Sequence, residues 1–225
     1  MKLEELAEEL KVCDKLLASE SNEKEDDFNS KNQVLQEYQM IDEDQNIMFK
    51  GKVAKVISST DCILLTQLVF SGKLKDLSDP EMLALLSVLV ELRPAKSHEM
   101  LDSKISDKFW DACMYLEEET VKLIGAEKKC GVADQVTDPI KRLNYYFYEV
   151  VFDWSNKKSF LAIKTKWPNL EEGIVIKMIM EVTKLCKTIK EMSILIGDFT
   201  LGQRMDEASE LLKREVMSMQ SLYFE

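Results

Sequence analysis

At 225 residues, 45% of them hydrophobic, the chain is long enough for one or two domains with an ordinary buried core. The formal charge is −11, but residues 1–48 hold 5 Lys against 14 Asp or Glu, a net of −9, while the other 25 basic and 27 acidic groups leave −2. This excludes a freestanding basic nucleic-acid binder, so any nucleic-acid contact is local or shared with another domain. Five scattered cysteines without a CxxC pair, and His98 as the only histidine, exclude a structural zinc site and point to free thiols in a reducing compartment. No apolar run reaches the ~18 residues of a membrane span, and the charged, acidic start is unlike a signal peptide.

Seven Gly and four Pro beside many Leu, Lys, Glu and Met favour helices over a sandwich or barrel. The expected fold is an all-α, multi-helix bundle. Leu3, Leu6, Leu10, Cys13 and Leu17 recur at helical spacing, so residues 1–18 form an amphipathic helix. Residues 19–32 are polar, acidic and aperiodic, and 19–48 read as an acidic linker holding at most a short helix around Val34, Leu35, Tyr38 and Ile41.

Residues 49–225 form the main domain. Its first stretch, Phe49–Gly72, sets Lys50, Lys52 and Lys55 among apolar residues. Ser58 with Asp61 resembles a capping box, an apolar run follows from Cys62 to Phe70, and Gly72 sits at a helix stop. Ser78-Asp79-Pro80-Glu81 starts a second helix, apolar nearly all round over Met82–Leu92 and stopped by Pro94. Ile105, Phe109, Ala112, Cys113, Leu116, Leu123 and Ile124 mark the buried stripe of a long helix over about 103–129, closed by Cys130-Gly131.

Asp138-Pro139 opens a helix whose seam is Ile140, Leu143, Phe147, Val150 and Trp154. On its flank Lys141, Asn144 and Tyr148 share one outward strip. Ser159–Lys166, a turn at Trp167-Pro168-Asn169 and a helix from Leu170 to Ile196 have helix-turn-helix proportions, with Gly197 as the stop. A last helix over about 203–221 buries Met205, Ala208, Leu212 and Met219.

The chemistry of an independent enzyme is missing. Gly51-Lys52 and Gly72-Lys73 lack the upstream Gly and following hydroxyl of a phosphate loop, and no Asp-Glu-x-His or Asp-Glu-x-Asp occurs. One histidine in a polar loop supplies no nucleophile–base pair, so the chain alone is not an enzyme and has no metal site.

Several blocks nevertheless resemble one family in order. Gly51-Lys52-Val53-Ala54 followed by Ser58-Ser59, Ala84-Leu85-Leu86-Ser87, Glu149-Val150-Val151-Phe152-Asp153-Trp154 with Phe160, Glu172-Gly173 with Val175-Ile176-Lys177, and Ser221-Leu222-Tyr223 resemble the C-terminal helical domain of Ski-family DExH-box RNA helicases. Cys130-Gly131, Leu195-Ile196-Gly197, Leu201-Gly202 and Met205 look more like the Ski-complex branch than the nuclear exosome-cofactor branch of TRAMP.

The resemblance implies an accessory domain of an ATP-dependent 3′→5′ RNA helicase in exosome-mediated RNA decay, bracing two RecA-like modules and lining the RNA path. No cofactor is expected on this chain; ATP and Mg would bind the RecA modules. Implied partners are those modules, single-stranded RNA, Ski-complex subunits and the RNA exosome, with no membrane and a cytoplasmic location, or a nuclear one in the other branch. Residues 1–18 would be the remnant of an inserted helical stalk. Lys141, Asn144, Tyr148, Val56 and Ser58 are the RNA-contact candidates. Two of them depart from the nuclear branch, which has Arg where this chain has Asn144 and Glu where it has Val56. Alternatives are a helical protein-interaction module without an RNA role, and a helix-turn-helix DNA binder, which the acidic Glu171-Glu172 at the recognition-helix start opposes.

Overall fold

The computed structural model describes residues 24–92, 105–132, 136 and 138–213. The expected helix at 1–18, Pro94, His98 and the end of the last helix with Met219 lie outside the described residues. As the composition implies, the described chain is helical and its only β feature is one isolated bridge, Ile41 to Ile47.

The first departure from expectation is at the acidic linker. Residues 24–37 are a helix (α1), followed by a turn that returns through the Ile41–Ile47 bridge. The aperiodic part stays exposed, while Val34, Tyr38 and Met40 enter the main core. Glu, Lys and Gln are good helix formers, and the Lys31–Asp27 pair (2.6 Å) spans one turn. Only the last turn of α1 carries a core face, so a test for periodicity over 19–32 misses it. The helical body therefore begins well before Phe49.

Helix α2 (Phe49–Ala54) packs on α3 (Cys62–Ser71). Gly51 is there for space: a Cβ at that position would sit 2.1 Å from the backbone oxygen of Met40. The start of α3 also differs from expectation. Asp61 is itself the N-cap, its carboxylate accepting from the Ile63 and Leu64 N–H groups at 3.0 and 3.1 Å. Ser58 takes no part and is exposed in the preceding loop. The short-range rule that pairs Ser with an acid three places on fails because Asp at the N-cap satisfies the same orphan donors. Gly72 ends α3 in the left-handed region (φ 73°), and a 3-10 turn (Lys73–Asp76) follows.

Helix α4 (Asp79–Val88) is the hub. The predicted capping box of Ser78 and Glu81 is present, and every side chain from Met82 to Val88 is buried. It packs against α5 (Asp107–Cys130), α7 (Tyr148–Ser155), α9 (Glu172–Ile196) and α10 (Phe199–Leu212). It is four residues shorter than expected at its C-terminal end. The stretch expected to run unbroken from Pro139 through Trp154 is two helices, α6 (Pro139–Arg142) and α7, separated by residues 143–147. Both departures have one cause, given below.

Trp154 is core, as its place on the seam implies. It is fully buried, donates its indole N–H to the Leu212 carbonyl at 3.0 Å, and meets Phe160 edge-on. Phe160 opens α8 (Phe160–Lys166), which is joined to α9 by residues 167–171 with Trp167 buried in the corner. Lys166 reaches back to α7 and sits between Glu149 and Asp153 at 3.3 and 3.4 Å. The α9–α10 hairpin turns at Gly197 and closes tightly at Gly202 against Ser193.

Two variants test this packing. Trp154→Ala should cost about 3–5 kcal/mol in equilibrium unfolding, as for other large buried aromatics. Gly51→Ala should cost about 1–3 kcal/mol, because its methyl group meets backbone that cannot rotate away. A Gly51→Ala protein as stable as the parent would show that the Met40–Gly51 contact is loose.

Candidate functional site

The five candidate residues converge on one side of the molecule but not as a strip. Residues Lys55–Asp61 join α2 to α3 and carry Val56, half-buried, and Ser58, exposed. The end of this loop, Thr60 and Asp61, faces Val90, Glu91 and the segment Lys141–Asn144 across a cleft of about 550 Å³. Lys141 is exposed at that cleft. Asn144 and Tyr148 are not: only 3% and 2% of their surfaces are accessible. The outward strip Lys141–Asn144–Tyr148 is therefore corrected, because it assumed a continuous helix and the helix breaks inside it.

Asn144 is what breaks it. Its backbone N–H donates to the Val88 carbonyl at 2.7 Å, where a continuing helix would have used it internally. Its side-chain amide donates to the carbonyls of Val90 (2.9 Å) and Leu92, and its side-chain oxygen accepts the Tyr146 N–H at 3.1 Å. Asn is suited to this because its side chain offers donors and an acceptor that compete with helical hydrogen bonds. From the other side Thr60 donates its hydroxyl to the Leu89 carbonyl. Carbonyls that α4 would leave orphaned at its C-terminal end are thus met by side chains from two other segments, and α4 stops there.

Arg142 ties the same corner to α5. Its guanidinium makes a two-pronged contact with Glu127 (2.8 and 2.6 Å) and lies 3.5 Å from Asp61. Asp61 thus caps α3 and also faces Arg142. Burial raises the Asp61 pKa, while the Leu64 N–H and the Arg142 charge pull the other way. Tyr148 stacks on Phe109 at 5.6 Å and meets Trp110 and Tyr145 edge-on. Its hydroxyl is 3.4 Å from Glu149, inside the fold. It has no face left for a base.

Sequence reasoning missed Arg142, Glu127 and Thr60. Asp61 was visible as a capping residue. Arg142 carried no signal, since it lies on neither the apolar seam nor the polar strip of the expected helix, and its partner is fifteen residues away. Among the described residues no group of three or more His, Cys, Asp or Glu side chains is placed to hold a metal ion. None of the described helices is long and apolar enough to cross a membrane.

The class defined by this fold is a helical module in which polar side chains from separate segments tie the helices to one another. The chain belongs to the DSHCT (NUC185) domain family, whose model matches residues 44–220. It is 29% identical over 199 residues to the antiviral helicase SKI2 of Saccharomyces cerevisiae, covering 88% of this chain and 15% of that protein. To the human superkiller complex protein 2 it is 28% identical, covering 88% of this chain and 15% of that protein. To the mouse exosome RNA helicase MTR4 it is 26% identical, covering 88% and 19% respectively. The chain thus spans under a fifth of the length of these relatives, and the resemblance to the Ski-family C-terminal domain is borne out.

Removing Arg142 should expose how strongly the corner is tied. Arg142→Ala leaves Glu127 and Asp61 facing each other with no cation and should cost about 3–5 kcal/mol, the usual penalty for breaking a buried pair. Replacing both partners, Arg142→Met with Glu127→Leu, should recover most of that loss in urea unfolding. A single variant that unfolds with the parent would mean that the pair is effectively solvated.

Proposed function

We propose that the chain acts as the C-terminal accessory domain of an ATP-dependent 3′→5′ RNA helicase in exosome-mediated RNA decay. The supporting observation is the family match over residues 44–220, together with relatives whose names are those of RNA helicases. The ATPase modules, with their ATP and Mg, belong to sequence that this chain does not contain. Its own part is to brace those modules and to edge the path of single-stranded RNA. The Ski-complex branch, with its cytoplasmic setting and Ski-complex and exosome partners, is the preferred assignment, and the nuclear branch is its alternative.

Within this reading the RNA-facing candidates divide by their burial. Lys141 and Ser58 stand exposed at opposite borders of the cleft, with Val56 half-buried behind Ser58. Lys141 can neutralise one phosphate and the Ser58 hydroxyl can hydrogen-bond a backbone oxygen. Asn144 and Tyr148 serve the domain's rigidity instead, since their polar atoms and ring faces are engaged inside it.

The test is a helicase reassembled from a relative's ATPase modules and this chain. Lys141→Ala should weaken single-stranded RNA binding and lower the salt slope by about 0.7, the contribution of one phosphate contact, with the melting temperature unchanged. If Lys141→Ala combined with Ser58→Ala binds and unwinds RNA like the parent, the cleft is not on the RNA path and only the bracing role survives.

A further inference from the structure

Helix α5 has a second face that the fold does not use. Its buried stripe, Phe109, Ala112, Cys113, Leu116, Thr120 and Leu123, points into the core. On the outward side Trp110, Met114, Glu117, Val121, Ile124 and Lys128 recur at spacings of four and three, the pattern of a helix–helix seam. Trp110, Met114 and Val121 are 37%, 55% and 57% exposed, which is unusual for three large apolar side chains in one row. Gly125 lies beside that row with open space around it, so another helix can approach closely there.

The charges along this face are segregated. Asp107, Asp111, Glu117 and Glu118 occupy the first half, and Lys122, Lys128 and Lys129 the second, with Lys108 the one cation near the start. A parallel neighbour of the same kind would set acid against acid. An antiparallel one sets acid against base.

We propose that this face pairs with the same face of a second copy of the chain, antiparallel, about a two-fold axis near the middle of α5. The seam is self-complementary about that point. Trp110 falls opposite Lys128 of the second copy, where a cation can lie over the indole. Met114 falls opposite Ile124 beside the gap at Gly125, and Val121 packs near the axis. Asp111 then faces Lys128, and Glu118 faces Lys122. Every such contact occurs twice, as an isologous interface requires. The N-terminal segment 1–18 is a poorer occupant, because its own seam is flanked by Glu4, Glu5, Glu8 and Glu9 and would meet the acidic half of α5 with like charge. The inference is independent of the helicase reading.

Sedimentation equilibrium on the full 225-residue chain over a hundredfold range of concentration tests it. The expected result is a reversible monomer–dimer equilibrium. Met114→Glu with Val121→Glu should abolish the dimer, with the helical circular dichroism retained. As a second arm, Asp111→Lys alone and Lys128→Glu alone should each weaken the dimer at least tenfold, and the two together in one chain should restore it. A monomer at every concentration overturns the proposal and leaves the face to a different partner. A dimer insensitive to both sets of substitutions overturns it as well, since pairing would then lie elsewhere.

Discussion

The end of one helix governs this domain. Helix α4 is buried on all sides, so where it stops decides how α5, α7, α9 and α10 close around it. A buried helix C-terminus cannot hand its carbonyls to water, and each one left unmet costs about 1–3 kcal/mol. Asn144 meets three of the carbonyls in the stretch from Val88 to Leu92, and Thr60 meets another. The consequence reaches further along the chain. Residue 144 can do this only by leaving the helix that begins at Pro139, so α6 ends at Arg142 and α7 restarts at Tyr148 in a new direction. The break also sets Arg142 against Glu127 and Asp61, joining α3, α5 and α6 at one point.

The polar groups elsewhere follow the same economy. Lys166 holds α8 against α7 through two buried carboxylates, and Arg204 of α10 reaches the carbonyls of Leu74, Lys75 and Leu77 together with Asp79. In each case a long cationic side chain connects elements far apart in sequence, while apolar side chains fill the space between. That suits a domain whose proposed work is to keep its shape beside moving ATPase modules. It also accounts for the near neutrality of residues 49–225: most of their charged groups in the interior are matched in pairs.

Much of the architecture was legible in the sequence because it rests on local signals. The starts of α4 and α5, the stops at Gly72, Gly131 and Gly197, and the burial of Trp154 each follow from a cap, a glycine or a helical seam. The family resemblance was legible for another reason, since it needed only ordered blocks of residues. What was not legible depended on partners distant in sequence. Nothing around Asn144 says that it will face Val88, fifty-six positions earlier, and so the pattern Ile140, Leu143, Phe147, Val150 and Trp154 looked like one helix. Each half does bury its apolar residues; the helix between them is what fails. The same reason hid α1, whose core contacts sit in its last turn while its acidic first turns read as linker. For the candidate site, Lys141 and Ser58 were placed at the cleft, whereas Asn144 and Tyr148 were drawn into the interior by contacts that periodicity cannot see.

The measurement that bears most directly on the account is the unfolding free energy of two variants at position 144. Asn144→Ala removes the donors to Val90 and Leu92, and should lose about 2 kcal/mol or more, from the carbonyls left unmet. Asn144→Asp keeps the size but turns a donor toward those carbonyls into a carboxylate, and should be worse still at neutral pH. If both proteins unfold at the parent's urea midpoint with the parent's slope, Asn144 is a surface residue after all, and the end of α4 is fixed by something else.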